Sequence, residues 1–227
     1  FITQKLENTM KKIMFDDQYG LTQAVLEGRK TQTRRMFTAK RGTDVQVVHS
    51  KGLDKDGNPS NQDDILVFLT HPLVENKVTI DGVTYDNFVK FVYPNHHIGD
   101  ILAIAQSYKD VNYVKPYGPE KVSELIKSSG WNNKMFVKAE LMPHHIKITD
   151  VRLEQVKDIS DEDCIKEGIR LLNHEEVKQG IAPAIYTIGS SDKFQYYSPR
   201  NAFFGLCCQL KLPRPAWVVV YDFELVD

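Results

Sequence analysis

A run of cationic and hydroxyl side chains near the start of the chain is the stretch best suited to chemistry. It reads GRKTQTRR over residues 28–35, and residues 29–41 carry six Lys or Arg and no acidic residue. The whole chain has a formal net charge of −1, so this run predicts a local positive field that attracts phosphate or another anion. The alternative is a solvated basic edge strand, which protects a sheet from aggregation.

The residues around this run predict a helix, a turn and a strand that position it. Leu21, Ala24 and Val25 follow the i, i+3, i+4 spacing of a short helix. Gly28 stands where a helix C-terminal cap favours a positive φ. A period of two then predicts two strand faces, with Lys30, Gln32 and Arg34 on one and Thr31, Thr33 and Arg35 on the other. A tight turn at Gly28 can still bring Lys30 and Thr33 to one cleft, because the alternation need not hold in its first residues.

Length and composition bound the class of protein. The 227 residues suit one large domain or two small ones, and 41% hydrophobic and 26% charged residues are ordinary for a globular chain. No apolar run approaches the length of a membrane span, and no signal segment is recognisable. We therefore expect a cytoplasmic protein without a membrane partner, whose residues 1–10 are leader or upstream sequence and for which Met10 is a plausible start. Oligomeric state stays open.

Cysteine and histidine spacing indicates neither a disulfide framework nor a metal centre. Cys164 stands alone and Cys207 adjoins Cys208, so we expect reduced thiols, one of the adjacent pair lying in a helix core. The histidine pairs at 96–97 and 144–145 point to opposite faces of a strand, which prevents either pair from chelating one ion. The sequence also lacks a glycine-rich phosphate loop. We expect no metal and no cofactor.

The order of predicted elements is mostly strands with a few short helices between them. A Ser160 cap starts a helix that ends at Gly168, and Ser198-Pro199 starts another. A polar loop is expected over 51–64, an Asp-Gly hairpin turn at 81–82 and helices over 120–127 and 173–180. Strands are expected over 11–15, 65–69, 77–80, 83–85, 88–93, 101–105, 135–141, 145–154 and 217–226. This order predicts an α+β fold, built as a small β-barrel decorated by helices.

Five segments, spread from about residue 13 to the C-terminus, come in the order of a known family. They are 25–35 (VLEGRKTQTRR), 98–102 (IGDIL), 148–152 (ITDVR), 158–163 (DISDED) with 167–169 (EGI), and 217–223 (WVVVYDF). With these motifs the chain resembles the ASCH domain, a branch of the PUA-like superfold, in its phage and prophage form. The resemblance implies a single domain over 11–227 with a barrel of five to six mixed or antiparallel strands. It also implies insertions at about 42–95 and 106–136, and a cleft beside the first helix.

The resemblance further implies a partner, RNA or a modified nucleoside or nucleotide. Candidate binding residues are Arg29, Gln32, Arg34 and Arg35. One compact bacterial branch hydrolyses the acyl amide of N4-acetylcytidine with a Lys and a Thr of the turn and a Glu of the later helix. Lys30, Thr33 and Glu167 stand at those positions and are the candidate catalytic residues. A buried lysine can act as a base on a threonine hydroxyl, and a carboxyl group can relay the proton.

Each of these residues also has a purely structural interpretation. Lys30 can form a salt bridge to Glu167 that ties the turn to the helix, Thr33 can reflect strand propensity, and Glu167 can be a solvated residue before the Gly168 cap. The two insertions can cover the cleft, lengthen a nucleic-acid groove or block it. Three functions therefore stay open: an RNA- or nucleotide-binding module, an amidohydrolase, and a phage or mobile-element interaction protein with a vestigial cleft.

Overall fold

The computed structural model describes residues 10–36, 44–53, 59–80, 82–92, 94–114, 117–189, 194–212 and 216–226. Within these ranges the chain forms strands, α-helices and short 3-10 helices. The strands are β1 (Lys11–Ile13), β2 (Gln32–Met36), β3 (Asp44–Leu53), β4 (Pro59–Thr70), β5 (Lys77–Ile80), β6 (Val83–Asp86), β7 (Phe88–Val92), β8 (Ile101–Ile104), β9 (His145–Gln155), β10 (Ile169–Leu171), β11 (Tyr186–Ile188) and β12 (Trp217–Val226). The α-helices are α1 (Leu21–Leu26), α2 (Tyr108–Val114), α3 (Pro119–Ile126), α4 (Asp161–Lys166), α5 (His174–Lys178) and α6 (Pro199–Gln209).

A mixed five-stranded sheet is the frame of the molecule. Its order is β1-β8-β9-β12-β2, with β1 parallel to β8 and the other neighbours antiparallel. The long strand β12 pairs with both β9 and β2, so it holds the basic run at one edge of the sheet. In the described part of the chain the edge strands β1 and β2 do not pair with each other. The α+β prediction is confirmed, whereas the described strands form an open sheet.

The main core lies between this sheet and three helices. Buried side chains of β8, β9 and β12 pack with those of α1, α4 and α6, among them Val25, Ile104, Ile148, Phe203 and Val220. The predicted caps are confirmed: the Ser160 hydroxyl accepts from the Asp163 amide, and the Ser198 hydroxyl accepts from the Asn201 amide. The thiol of Cys207 is buried and that of Cys208 is exposed, so Cys207 is the cysteine that joins the helix core.

The two predicted insertions build structures of their own beside the sheet. Strands β3, β4 and β7 form a three-stranded sheet, and β5 pairs with β6 across Gly82, as the hairpin signal predicts. Helices α2 and α3 surround a small second core that includes Tyr108, Val111, Leu125 and Val137. None of the described helices has both the length and the apolar character that crossing a bilayer requires.

Two local predictions are wrong, for different physical reasons. The predicted loop over 51–64 is largely strand, because β3 and β4 pair in a long hairpin whose backbone hydrogen bonds do not depend on apolar side chains. Residues 54–58 lie outside the described ranges. The predicted strand over 135–141 is instead two 3-10 helices, Lys134–Phe136 and Ala139–Leu141. The Asn133 side chain accepts from the Met135 amide and caps the first of them.

A close backbone contact at Gly189 yields a stability prediction. Gly189 has φ 56°, and a Cβ there would lie 1.7 Å from the carbonyl oxygen of Tyr19. Gly180 also has a positive φ, 72°, but has open space around it. We expect Gly180→Ala to cost about 1 kcal/mol through backbone strain alone. We expect Gly189→Ala to cost about 2–4 kcal/mol, since the Tyr19 backbone must also move. Urea unfolding of both variants measures the difference, and equal costs would contradict the contact.

Candidate functional site

A pocket of about 500 Å³ opens where the start of β2 meets the end of α4, helix α6 and the loop after β1. The three candidate catalytic residues, Lys30, Thr33 and Glu167, all line it. An apolar wall faces them, formed by Phe203, Leu206, Cys207, Leu210 and Leu212. The sequence identified the polar side of this pocket but not its apolar side.

The turn that carries Lys30 is fixed at both ends. Gly28 adopts φ 70° after α1, as the cap prediction requires, and the amides of Arg29 and Lys30 both donate to the Ala24 carbonyl at 2.9 Å. The Thr31 amide then donates to the Lys166 carbonyl at the end of α4, also at 2.9 Å. The basic turn and the acidic helix are therefore joined by backbone as well as by side chains.

Lys30 is buried in the pocket wall with its ammonium group fully paired. Its side chain is 2% exposed, and Nζ donates to Glu167 Oε2 at 2.6 Å, to the Gln32 carbonyl at 2.7 Å and to the Glu167 carbonyl at 2.9 Å. Burial lowers the pKa of Lys30, while the charge of the Glu167 carboxylate opposes that change. A lysine so placed holds its proton less firmly than an exposed one and has a carboxylate in direct contact to receive it.

Glu167 accepts from two cations at once. It caps α4 just before Gly168, whose φ is 98°, and is 4% exposed. While Oε2 bonds Lys30, Oε1 accepts from Arg34 Nη1 at 3.0 Å. The interpretation of Glu167 as a solvated residue is therefore wrong, and the predicted Lys30–Glu167 salt bridge is confirmed.

Thr33 lines the same pocket from strand β2. It lies in β2 opposite Tyr221 and is 4% exposed. Within the described ranges its hydroxyl has neither a hydrogen-bond donor nor an acceptor as partner. A hydroxyl in this state is available to a ligand in the pocket.

Gln32 and Arg34 both bond a network of acids, although Arg34 also lines the pocket. Arg34 is paired with Glu154 at 3.0 Å and with Asp163 at 3.5 Å in addition to Glu167. The Gln32 amide donates to Asp163 Oδ1 at 3.1 Å and to Asp222 Oδ1 at 2.6 Å. Desolvation acts to lower the pKa of Arg34, but the carboxylates of Glu167 and Glu154 outweigh it and raise that pKa. Both residues serve chiefly to hold the site together.

Arg152 completes this network and was assigned no role from the sequence. Its guanidinium bonds Asp163 at 3.2 Å and Asp150 at 3.1 Å, and also contacts Asp222. The available signal was the period of two in β9, which places Asp150, Arg152 and Glu154 on one strand face. No set of three metal-ligating side chains among the described residues is arranged to hold an ion.

The two remaining binding candidates lie in different places. Arg29 does not line the pocket and pairs with Glu27, its Nε lying 2.7 Å from Oε2. Arg35 lines the pocket, donates to the Met14 carbonyl at 2.6 Å and lies 5.8 Å above the centre of the Phe15 ring. No carboxylate of the described residues pairs with Arg35, and burial lowers its pKa. Arg35 is therefore the candidate best placed to meet a ligand.

Comparison of the chain with protein-family models, with curated proteins and with solved structures gave no match. The resemblance to the ASCH domain therefore depends on the five sequence motifs alone.

Glu167 pairs with two cations, whereas Lys30 pairs with one carboxylate. This difference predicts which of two alanine variants loses more stability. Glu167→Ala leaves Lys30 and Arg34 buried without their common partner, and we expect a loss of about 3–5 kcal/mol. Lys30→Ala leaves Glu167 still bonded to Arg34, so we expect a smaller loss of about 1–3 kcal/mol. Equilibrium unfolding in urea at neutral pH measures both.

The exposed pair of Lys77 and Asp86, joined at 2.9 Å, is the matched control. We expect Asp86→Ala to leave stability nearly unchanged because solvent screens that pair. A larger loss of stability for Lys30→Ala than for Glu167→Ala would contradict the assignment of Glu167 as the common partner of Lys30 and Arg34.

Proposed function

We propose that this chain is an ASCH-type protein whose pocket binds a modified nucleoside or nucleotide, free or within RNA. The observation that supports this most is the meeting of Lys30, Thr33 and Glu167 in one pocket. Lys30 and Glu167 are 137 residues apart in the chain, and all three residues stand at the positions that the resemblance assigns to the site.

The lining of the pocket suits a flat heterocycle with a polar edge. Its volume of about 500 Å³ falls within the range typical of small-molecule sites. Phe15 and Phe203 supply aromatic surface, and Arg35 offers donors that suit a phosphate or a base carbonyl. With a net charge of −1 on the whole chain, contact with nucleic acid would be focal.

The fold supports the same family at a coarser level. The mixed five-stranded sheet carries the pocket beside α1 and the Gly-x-Lys turn, which is where the resemblance expects a cleft. The described strands stay open, so a closed PUA-like barrel is part of this proposal.

Hydrolysis of an acyl amide is a second candidate, favoured by the unpartnered Thr33 hydroxyl beside the Lys30–Glu167 pair. The neutral amine of Lys30, formed when its ammonium group loses a proton to solvent, takes the Thr33 proton while the hydroxyl oxygen attacks the acyl carbon. The C–N bond then breaks, and Lys30 returns that proton to the departing cytosine amine. Water hydrolyses the threonyl ester, which releases the acid and restores Thr33.

Ligand binding tests the main proposal. We expect calorimetry or NMR titration to detect binding of N4-acetylcytidine or cytidine monophosphate to the wild type. Arg35→Gln should weaken that binding about tenfold, as expected for losing a hydrogen bond from a charged group. Arg29→Gln is the control and should leave binding unchanged, since Arg29 lies outside the pocket. Absence of binding to both ligands and to short RNA at millimolar concentration would instead support a vestigial cleft.

Release of cytidine from N4-acetylcytidine tests the hydrolase candidate separately. We expect Thr33→Val and Lys30→Met to lower kcat by at least about a hundredfold, the usual contribution of a nucleophile or base. Activity should rise with pH as Lys30 loses its proton. Because burial lowers the pKa of Lys30, the midpoint should lie below the ordinary lysine value of about 10.4. No cytidine released by wild type at high enzyme load removes this candidate and leaves the binding proposal standing.

A further inference from the structure

Among the described residues of the second insertion, Lys134 lines the pocket. Its Nζ lies 2.7 Å from Asp17 Oδ2, donates to Thr22 Oγ1 at 3.2 Å and also donates to the Phe15 carbonyl. These three acceptors belong to the loop 14–20, which joins β1 to α1, and to the first turn of α1. All three protons of the ammonium group are thus used to hold this loop.

A second lysine, Lys12, joins the same two segments, but it lies in β1 and donates to the segment that carries Lys134. Lys12 lies in β1 and its Nζ donates to the carbonyls of Met135 and Val137, both at 2.7 Å. Val137 is buried in the second core with Tyr108 and other side chains of the insertion. The contact is therefore supported by the second core. Lys134 of the insertion bonds the segment around β1, and Lys12 of β1 bonds the segment around Lys134.

The loop held in this way forms one wall of the pocket. Residues 14–18 line it, and the Phe15 ring lies 5.9 Å from Lys30 Nζ and 5.8 Å from Arg35 Cζ. The carbonyl that Lys134 binds belongs to the same Phe15. A displacement of this backbone would move the ring away from both cations and admit water to Lys30.

We propose that Lys134 is a positioning residue, through which the second insertion holds the loop 14–18 in place as a wall of the pocket. The insertion then neither blocks the cleft nor extends it, but determines how closely its wall surrounds a ligand. The proposal about the wall stands on contacts alone, and only its consequence for affinity rests on the proposed function.

The cysteines of the chain provide a test that needs no ligand. Cys207 lines the pocket and is 1% exposed, while Cys164 is buried in the same core but does not line the pocket. Burial raises the pKa of both thiols to about 12, so each reacts with a small thiol reagent only when its surroundings open. In a Cys208→Ser background, mass spectrometry of labelled peptides reports opening of the pocket and of the core separately.

We expect Lys134→Met to speed the labelling of Cys207 about tenfold, as expected for losing hydrogen bonds from a charged group. Labelling of Cys164 should keep its rate. Lys134→Arg retains the charge and donors and should restore the slow rate. Lys138→Met removes an exposed lysine of the same segment that does not line the pocket, and should have no effect.

Two outcomes overturn the proposal: an unchanged Cys207 rate, or equal acceleration of Cys207 and Cys164, which indicates general destabilisation. A parallel titration with N4-acetylcytidine should show weaker binding by Lys134→Met than by Lys138→Met. If the wild type binds no nucleoside, the proposed function fails while the labelling result still decides the role of Lys134.

Discussion

One buried carboxylate shared by two cations is the interaction on which the site depends. Removing charges from water is costly unless they are paired, so Glu167, Lys30 and Arg34 are stable in the interior only together. Their pairing requires the end of α4 to meet the turn before β2. Both segments reach that point through residues with positive φ, Gly168 and Gly28. All three charged residues line the pocket, so this cluster forms its polar side.

The same interaction sets the reactivity of the site. The hydrogen bonds of Lys30 are those of an ammonium group, with three protons and three oxygen acceptors. Burial works against that charge and lowers the pKa of Lys30. In the proposed hydrolysis, a ligand that fills the pocket excludes water and so favours the neutral amine of Lys30, which is the form that can accept the proton of Thr33. Structural and catalytic interpretations of Lys30 thus describe two protonation states of one arrangement.

Local signals in the sequence were sufficient for the turns and caps around the site. Gly28, Ser160 and Ser198 each have a role fixed by neighbouring backbone, so residue type and position determine the outcome. Strand β12 was predicted at its observed bounds, since its apolar run is central in the sheet. The motif match extended this to the pairing of Lys30 with Glu167, which no local pattern specifies.

The features that could not be predicted from the sequence depend on contacts between residues far apart in the chain. The pattern of β9 marks Asp150 and Glu154 beside Arg152 but not its other two acidic neighbours, because Asp163 and Asp222 come from other elements. Lys134 resembles any surface lysine until the loop after β1 is placed beside it. The 3-10 helices near Lys134 depend on a cap from Asn133 and on burial of Val137 in a core that forms only when the insertion folds. Such contacts have no period and no fixed spacing.

The basic run shows how folding alters what a charge pattern means. From the sequence alone, the basic run predicts a line of positive charges that suits a phosphate backbone. In the described part of the run, Arg29 meets Glu27, Lys30 meets Glu167, and Arg34 meets three carboxylates, whereas Arg35 bonds only a carbonyl. Lys40 and Arg41 lie outside the described residues. A polyanion binds along a series of uncommitted cations, and residues 29–35 offer one, inside a pocket. Under the proposed function, recognition by residues 29–35 is therefore of a single group entering the pocket, which favours one nucleoside over an extended strand.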